Sequence, residues 1–122
     1  MAEIVEQGYV ELRDAINPEQ THSDFNGIEL LDTGTAKVQA TLSESRVSVT
    51  SNLGENPYTL QITVSPSDGD VAEGDSFNES TLYNGDPGTA SAVTAVESFT
   101  GVTLDNTDDE LVVDHNVEVP QI

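Results

Sequence analysis

Positive charge is what this chain most conspicuously lacks. It carries 3 Lys+Arg against 23 Asp+Glu, a formal net charge of −20 at pH 7 over 122 residues. Arg13, Lys37 and Arg46 are the only ones, and no Lys or Arg follows Arg46. A surface without a basic patch repels phosphate, which excludes nucleic acid as a partner and disfavours anionic membranes.

Other absences narrow the field further. There is no Cys, hence no disulfide staple and no thiolate metal site. There is no Trp, with 3 Phe and 3 Tyr, so few large side chains are available for a core. The apolar share of 35% points to a small aliphatic interior that gains from burial against neighbouring subunits, and a homo-oligomer is expected. No apolar run approaches the ~20 residues that cross a bilayer, so membrane insertion is not expected. The first residues, Met1-Ala2-Glu3-Ile4-Val5-Glu6, lack the basic region and apolar stretch of a signal peptide, and secretory export is not expected. No Gly-rich phosphate loop and no Ser/His/Asp order is recognisable.

What is abundant is acid, spread along the whole chain. The longest acidic run is Asp108-Asp109-Glu110, so the charge belongs to the surface of a folded body and not to a tail. Self-repulsion at this density opposes compaction in dilute buffer. Molar salt shortens the Debye length to about 3 Å and removes most of that penalty. The expected setting is strong brine, in a halophilic archaeon or its virus.

Residues 3–16 read as a helix, with Val5, Tyr9, Leu12 and Ile16 spaced along one face of a 3.6-residue period. Gly8 opposes this by roughly 1 kcal/mol relative to Ala. Asn17-Pro18 is a stop. From residue 28 the pattern leans β, with residues 17–35 drawn as an irregular connector and Asn26-Gly27 as a turn. Alternation is clear at Val38/Ala40/Leu42, continues at Val47/Val49, and is cleanest at Leu60/Ile62/Val64. Residues 71–79 are weak, Thr81–Tyr83 reads as a short strand, and Ala92–Phe99 as another. Gly101–Asp109 reads as turns. In the last strand Leu111, Val113, His115, Val117 and Val119 share a face. The expected fold is mainly β: an antiparallel β-sandwich or open barrel of about six or seven strands with one N-terminal α-helix. The expected organisation is a single domain over residues 1–122, with the sandwich at 36–119.

His115 is the sharpest local anomaly. It is either a ligand or general base, or a histidine at a sheet edge or subunit contact with a hydrogen-bonded partner, and the second reading is preferred. His22 lies in a polar loop and is expected to face solvent. Asp68-Gly69-Asp70 and Asp105–Glu110 evoke cation loops, but neither fits the EF-hand frame. Diffuse counterions are expected there in place of a specific metal. Asn78-Glu79-Ser80 satisfies the glycosylation rule and is expected to be unused. Paired carboxylates for glycoside cleavage have no support beyond the abundance of acids. No catalytic, cofactor-binding or metal-binding residue is assigned, and the chain is expected not to be an enzyme.

The C-terminal third carries a resemblance. Phe77-Asn78-Glu79-Ser80-Thr81-Leu82-Tyr83-Asn84-Gly85 is followed by Gly88-Thr89, the segment Ser91–Phe99 and Gly101-Val102-Thr103. Thr107-Asp108-Asp109-Glu110-Leu111-Val112-Val113-Asp114-His115 completes it, with an earlier echo at Thr33-Gly34-Thr35. This order is similar to a family of small tail-fibre-like or virion structural proteins of tailed phages, over residues 77–119. The chain departs from that family at His115, where a Trp is usual, and lacks the arginine common before the Phe-ending strand. The resemblance implies a non-enzymatic structural protein of a tailed haloarchaeal virus. It would be an exterior capsid decoration or turret, or a tail or baseplate component. Its partners would be other virion proteins, its place the virion, and the host cytoplasm before assembly. Val5, Tyr9, Leu12 and Ile16 are then possible assembly contacts. Two rivals remain: a cellular surface- or carbohydrate-binding β-sandwich module of a halophile, and a small hydrolase with His115 as base.

Overall fold

The computed structural model describes residues 2–120; the ends of the expected 1–122 domain, residues 1 and 121–122, lie outside it. A helix α1 (Glu6–Ala15) precedes β1 (Gly27–Asp32), β2 (Thr35–Thr41), β3 (Val47–Val49), β4 (Tyr58–Val64), β5 (Asp75–Tyr83), β6 (Glu97–Leu104) and β7 (Leu111–Val117). The strands form two antiparallel sheets, β2-β1-β5-β6 and β3-β4-β7. The chain is therefore mainly β, a sandwich of two sheets with a single short N-terminal helix.

Alternation builds the core. Val38 and Ala40 of β2, Ile28 and Leu30 of β1, and Phe77 and Leu82 of β5 face inward from the larger sheet. Leu60, Ile62 and Val64 of β4 meet them from the smaller sheet, beside Val113 and Val117 of β7. Their polar neighbours, Thr59, Gln61 and Thr63, are less deeply buried on the outer face. This is the expected pattern for antiparallel sheets packed on one side.

The connector drawn at residues 17–35 needs correction. Gly27–Asp32 is an interior strand, hydrogen-bonded to β2 on one side and β5 on the other. Its first five residues are all buried, because Glu29 and Leu31 are covered on the outer face while Ile28 and Leu30 fill the core. A strand buried on both faces shows no alternation, which is why the period-2 signal is missing. Gly27 is likewise no turn. A Cβ at this position would overlap the Gly85 carbonyl, so glycine is what lets the segment after β5 lie against β1. The turn falls after β1, at Thr33 and Gly34, whose φ values of 44° and 85° are those of a tight hairpin turn.

Three other boundaries move. The strand expected at Thr81–Tyr83 is the end of the nine-residue β5, whose register shifts between Phe77 and Glu79 and so breaks alternation in its first half. The strand expected at Ala92–Phe99 is displaced to Glu97–Leu104, taking in residues read as turns. Ala92 and Thr94 make only isolated bridges, to Tyr83 and Ile4. The helix is shorter than 3–16, because Ala2 and Ile4 bridge to Val117 and Thr94.

The helix also turns a different face inward. Gly8 and Glu11 are its buried residues, with Leu12 packed against the core. Ile16 is 85% exposed and Tyr9 lies outward. The stripe Val5/Tyr9/Leu12/Ile16 is thus not the packing face. A Cβ at Gly8 would overlap the Val93 carbonyl and Ile4, so the glycine that weakens the helix is what allows its backbone to seat on the segment before β6.

Candidate functional site

The inward face of β7 carries His115 as alternation requires, between Val113 and Val117. β7 is an edge strand of its sheet, but the ring points into the sandwich and is fully buried. The ring does not lie at an exposed subunit contact. Its Nδ1 lies 2.7 Å from Ser80 Oγ on β5, and its Nε2 3.1 Å from Thr94 Oγ1. Thr94 Oγ1 also accepts from the Leu82 N–H and donates to the Ala95 carbonyl. With its one proton so used, Thr94 accepts from Nε2–H, and Ser80 donates to Nδ1; the tautomer is assigned from this network. The Glu97 Oε2 stands 4.0 Å from Nδ1. Burial lowers the imidazole pKa to about 4, with Glu97 pulling the other way, so the ring is neutral at pH 7.

Serine, histidine and glutamate thus meet in space, though nothing in their sequence order announces it. The arrangement lacks the geometry of an acyl-transfer relay. Ser80 and Glu97 both stand at Nδ1, whereas a relay sets nucleophile and acid on opposite ring nitrogens. Ser80 is also only 2% exposed. The hydrogen bonds of His115 to Ser80 and Thr94 join β7 to β5 and to the segment before β6 in an otherwise aliphatic interior.

Arg46 organises a second cluster. Its guanidinium donates to both Asp70 carboxylate oxygens at 2.8 and 2.7 Å, to Asp68 at 3.3 Å and to Glu44 at 3.1 Å. The forked contact with Asp70 lowers that carboxyl's pKa. Asp68-Gly69-Asp70 is therefore a receptor for a guanidinium of the same chain. In the other acidic loop, Asp109 accepts the Asp105 and Asn106 N–H groups, both at 3.0 Å, and closes its own turn. Among the described residues no group of three or more His, Cys, Asp or Glu is placed to hold a metal ion. The glycosylation triplet is built into the fold: Asn78 accepts from the Thr33 N–H at 2.8 Å and donates to Thr33 Oγ1 at 3.0 Å, while Ser80 is bound to His115.

Glu11 is a site residue that sequence reasoning missed. Its carboxylate accepts from the Ser23 N–H at 3.0 Å, from Asn84 Nδ2 at 2.6 Å and from Gln7 Nε2 at 3.4 Å. The Ser23 N–H leads in lowering its pKa, against the opposing effect of burial. Its spacing from Ile4 and Gly8 on one helical face is the signal that marks it.

Beside Glu11 opens a groove of about 500 Å³. One wall is Leu12 and Ala15 of α1 with the segment 22–26. The other is Leu42, the span 49–55, and the ends of β4 and β7. Leu42, Val49, Leu53 and Val119 are exposed within it. Tyr58 crosses the floor and donates to the Phe25 carbonyl at 2.6 Å; burial pushes its phenol pKa up to about 12. Asp24 and Glu55 line the groove, no Lys or Arg does, and His22 Nε2 lies 3.3 Å from Asp24. His22, expected to face solvent, is exposed there. Of the proposed helical contact stripe, only Leu12 reaches this groove. Tyr9 lines a separate concavity with Ala2, Glu3, Ile4, Glu118 and Pro120, and Val5 and Ile16 line neither. No family model, curated protein or solved structure matches this chain.

Proposed function

We propose that this chain is a non-enzymatic structural subunit of a particle assembled in concentrated salt. The particle is that of a tailed virus of a halophilic archaeon, with this chain as an exterior capsid decoration or turret, or a tail or baseplate component. One observation carries the reading. The broad groove gathers the exposed aliphatic side chains Leu42, Val49, Leu53 and Val119 beside a tethered Tyr58, while His115, the base on which the hydrolase rival relies, is sealed between the sheets. A surface of this kind buries apolar area against a neighbour. Two features of the sequence add support: the net charge of −20, which suits crowding in brine, and the likeness of residues 77–119 to small virion proteins.

Mass spectrometry of purified virions tests the reading. The chain is expected at a stoichiometry set by particle symmetry, and its absence from the particle would remove the virion assignment. The carbohydrate-module rival has no observation in its favour. Stacking against sugars needs exposed aromatic faces, and Tyr58 is held by Phe25 while Tyr9 stands away from the groove.

A further inference from the structure

We infer that the groove beside α1 receives a short apolar segment of a different polypeptide, one that carries Lys or Arg beside its apolar side chains. This rests on the assembly reading in taking the groove as a protein contact, and goes beyond it in naming the partner's chemistry.

The apolar part of the argument is concentration in one place. A single exposed Leu is ordinary, but Leu42, Val49, Leu53 and Val119 converge on one concavity. Leu53 is 102% exposed, projecting from the span 52–55 without burial among the described residues. A partner chain is what would bury it.

The charged part decides which partner. Asp24 and Glu55 border the groove, where His22 beside Asp24 is the one basic side chain and no Lys or Arg is among the lining residues. A complementary segment therefore brings cations. A second copy of this chain is poorly suited. A two-fold contact sets a patch against itself, which would bring two copies of Asp24 and of Glu55 into one interface with no Lys or Arg from either groove. A copy also has few cations to offer: Arg46 is held by three carboxylates, and Arg13 and Lys37 already stand beside Glu6 and Asp75. Molar salt screens distant charges and weakens exposed pairs, so the preference for cations rests on direct contact with Asp24 and Glu55.

The test uses the full chain, labelled with ¹⁵N, in molar KCl. Three synthetic peptides serve as probes: an alternating Leu/Val core flanked by lysines, the same core flanked by glutamates, and a Gly/Ser core flanked by lysines. The Lys-flanked apolar peptide is expected to shift the amides of residues 22–26, 49–55 and 117–119, and the other two to bind weakly. Leu53→Glu is expected to weaken that binding by about tenfold or more. Because Leu53 is fully exposed, this variant is expected to keep the native circular dichroism spectrum. Asp24→Lys combined with Glu55→Lys is expected to invert the preference toward the Glu-flanked peptide. Equal binding of both apolar peptides, shifts elsewhere than the groove, or indifference to Leu53→Glu would each overturn the inference. Sedimentation in the same buffer adds a further arm: a wild-type dimer that Leu53→Glu converts to monomer would assign the groove to a second copy and overturn it too. Absence of the chain from virions would remove the virion assignment yet leave the peptide result standing, so the two can fail separately.

Discussion

At one end of the sandwich the acidic loops 65–74 and 105–110 tie themselves together. Ser65 Oγ donates to the Thr107 carbonyl, Thr107 Oγ1 to Glu73, and Arg46 gathers Glu44, Asp68 and Asp70. At the other end, where Tyr58 pairs with Val117 and Gly27 with Thr41, the strands stop short of covering Leu42, Val49, Leu53 and Val119. The acidic end has its polar groups matched within the chain and its remaining charge in water. The groove end leaves apolar surface that no described residue covers. The contrast separates residues that hold the fold from residues free to contact something else: truncation should be costly at the first end and nearly silent at the second.

The harshest way to break the comparison is to remove salt, which strains both ends together. Circular dichroism across a KCl titration is expected to show loss of β structure below about 0.5 M, where screening of the net charge weakens; an unchanged spectrum in dilute buffer would contradict the brine reading. Acid comes next and acts between the two ends, at His115. Its folded pKa is about 4 against an ordinary 6.5, so between these values the unfolded chain binds more protons. Stability is therefore full above pH 6.5, falls as pH drops from 6.5 toward 4, and this contribution flattens below. The loss amounts to ~3 kcal/mol at most. Denaturant melts in molar salt would show it, and His115→Phe should abolish that portion of the slope. Below that window Glu11 and Asp70, whose pKa values are lowered in the fold, contribute stability that is lost as they protonate.

Arg46→Met sharpens the contrast from the acidic side. It leaves three carboxylates facing one another, and a loss of about 2 kcal/mol is expected from urea denaturation. Leu53→Ser probes the groove side, and the same measurement should move by less than about 0.5 kcal/mol. Comparable losses for the two variants would erase the distinction between the ends.

The parts of the fold legible in the chain are those governed by near neighbours. Leu60/Ile62/Val64 and Val113/His115/Val117 alternate because each strand has one wet face, and both appear where alternation places them. β1 was hidden because its outer face is dry as well. The first half of β5 was hidden because a register shift breaks its period. Gly8 and Gly27 looked like helix-weakening and turn-forming residues; each is a point of close approach to a backbone distant in sequence. The helical stripe misled because Glu11, a polar residue off that stripe, finds three donors inside. Of the sites, only the oddity of His115 was visible beforehand. Its partners Ser80 and Thr94, and Arg46's acids at 68 and 70, come from separate strands and loops.

The amino-acid sequence alone settled the charge, the lack of thiols and tryptophan, and the mainly β character, since composition and short-range periodicity require no knowledge of what packs on what. Only the tertiary structure decided that the acids at 68 and 70 serve an arginine, that His115 is a sealed link between sheets, and that four aliphatic side chains share one open groove. Each of those depends on which distant segments the sandwich brings within hydrogen-bonding or van der Waals distance, and a linear pattern carries no record of that.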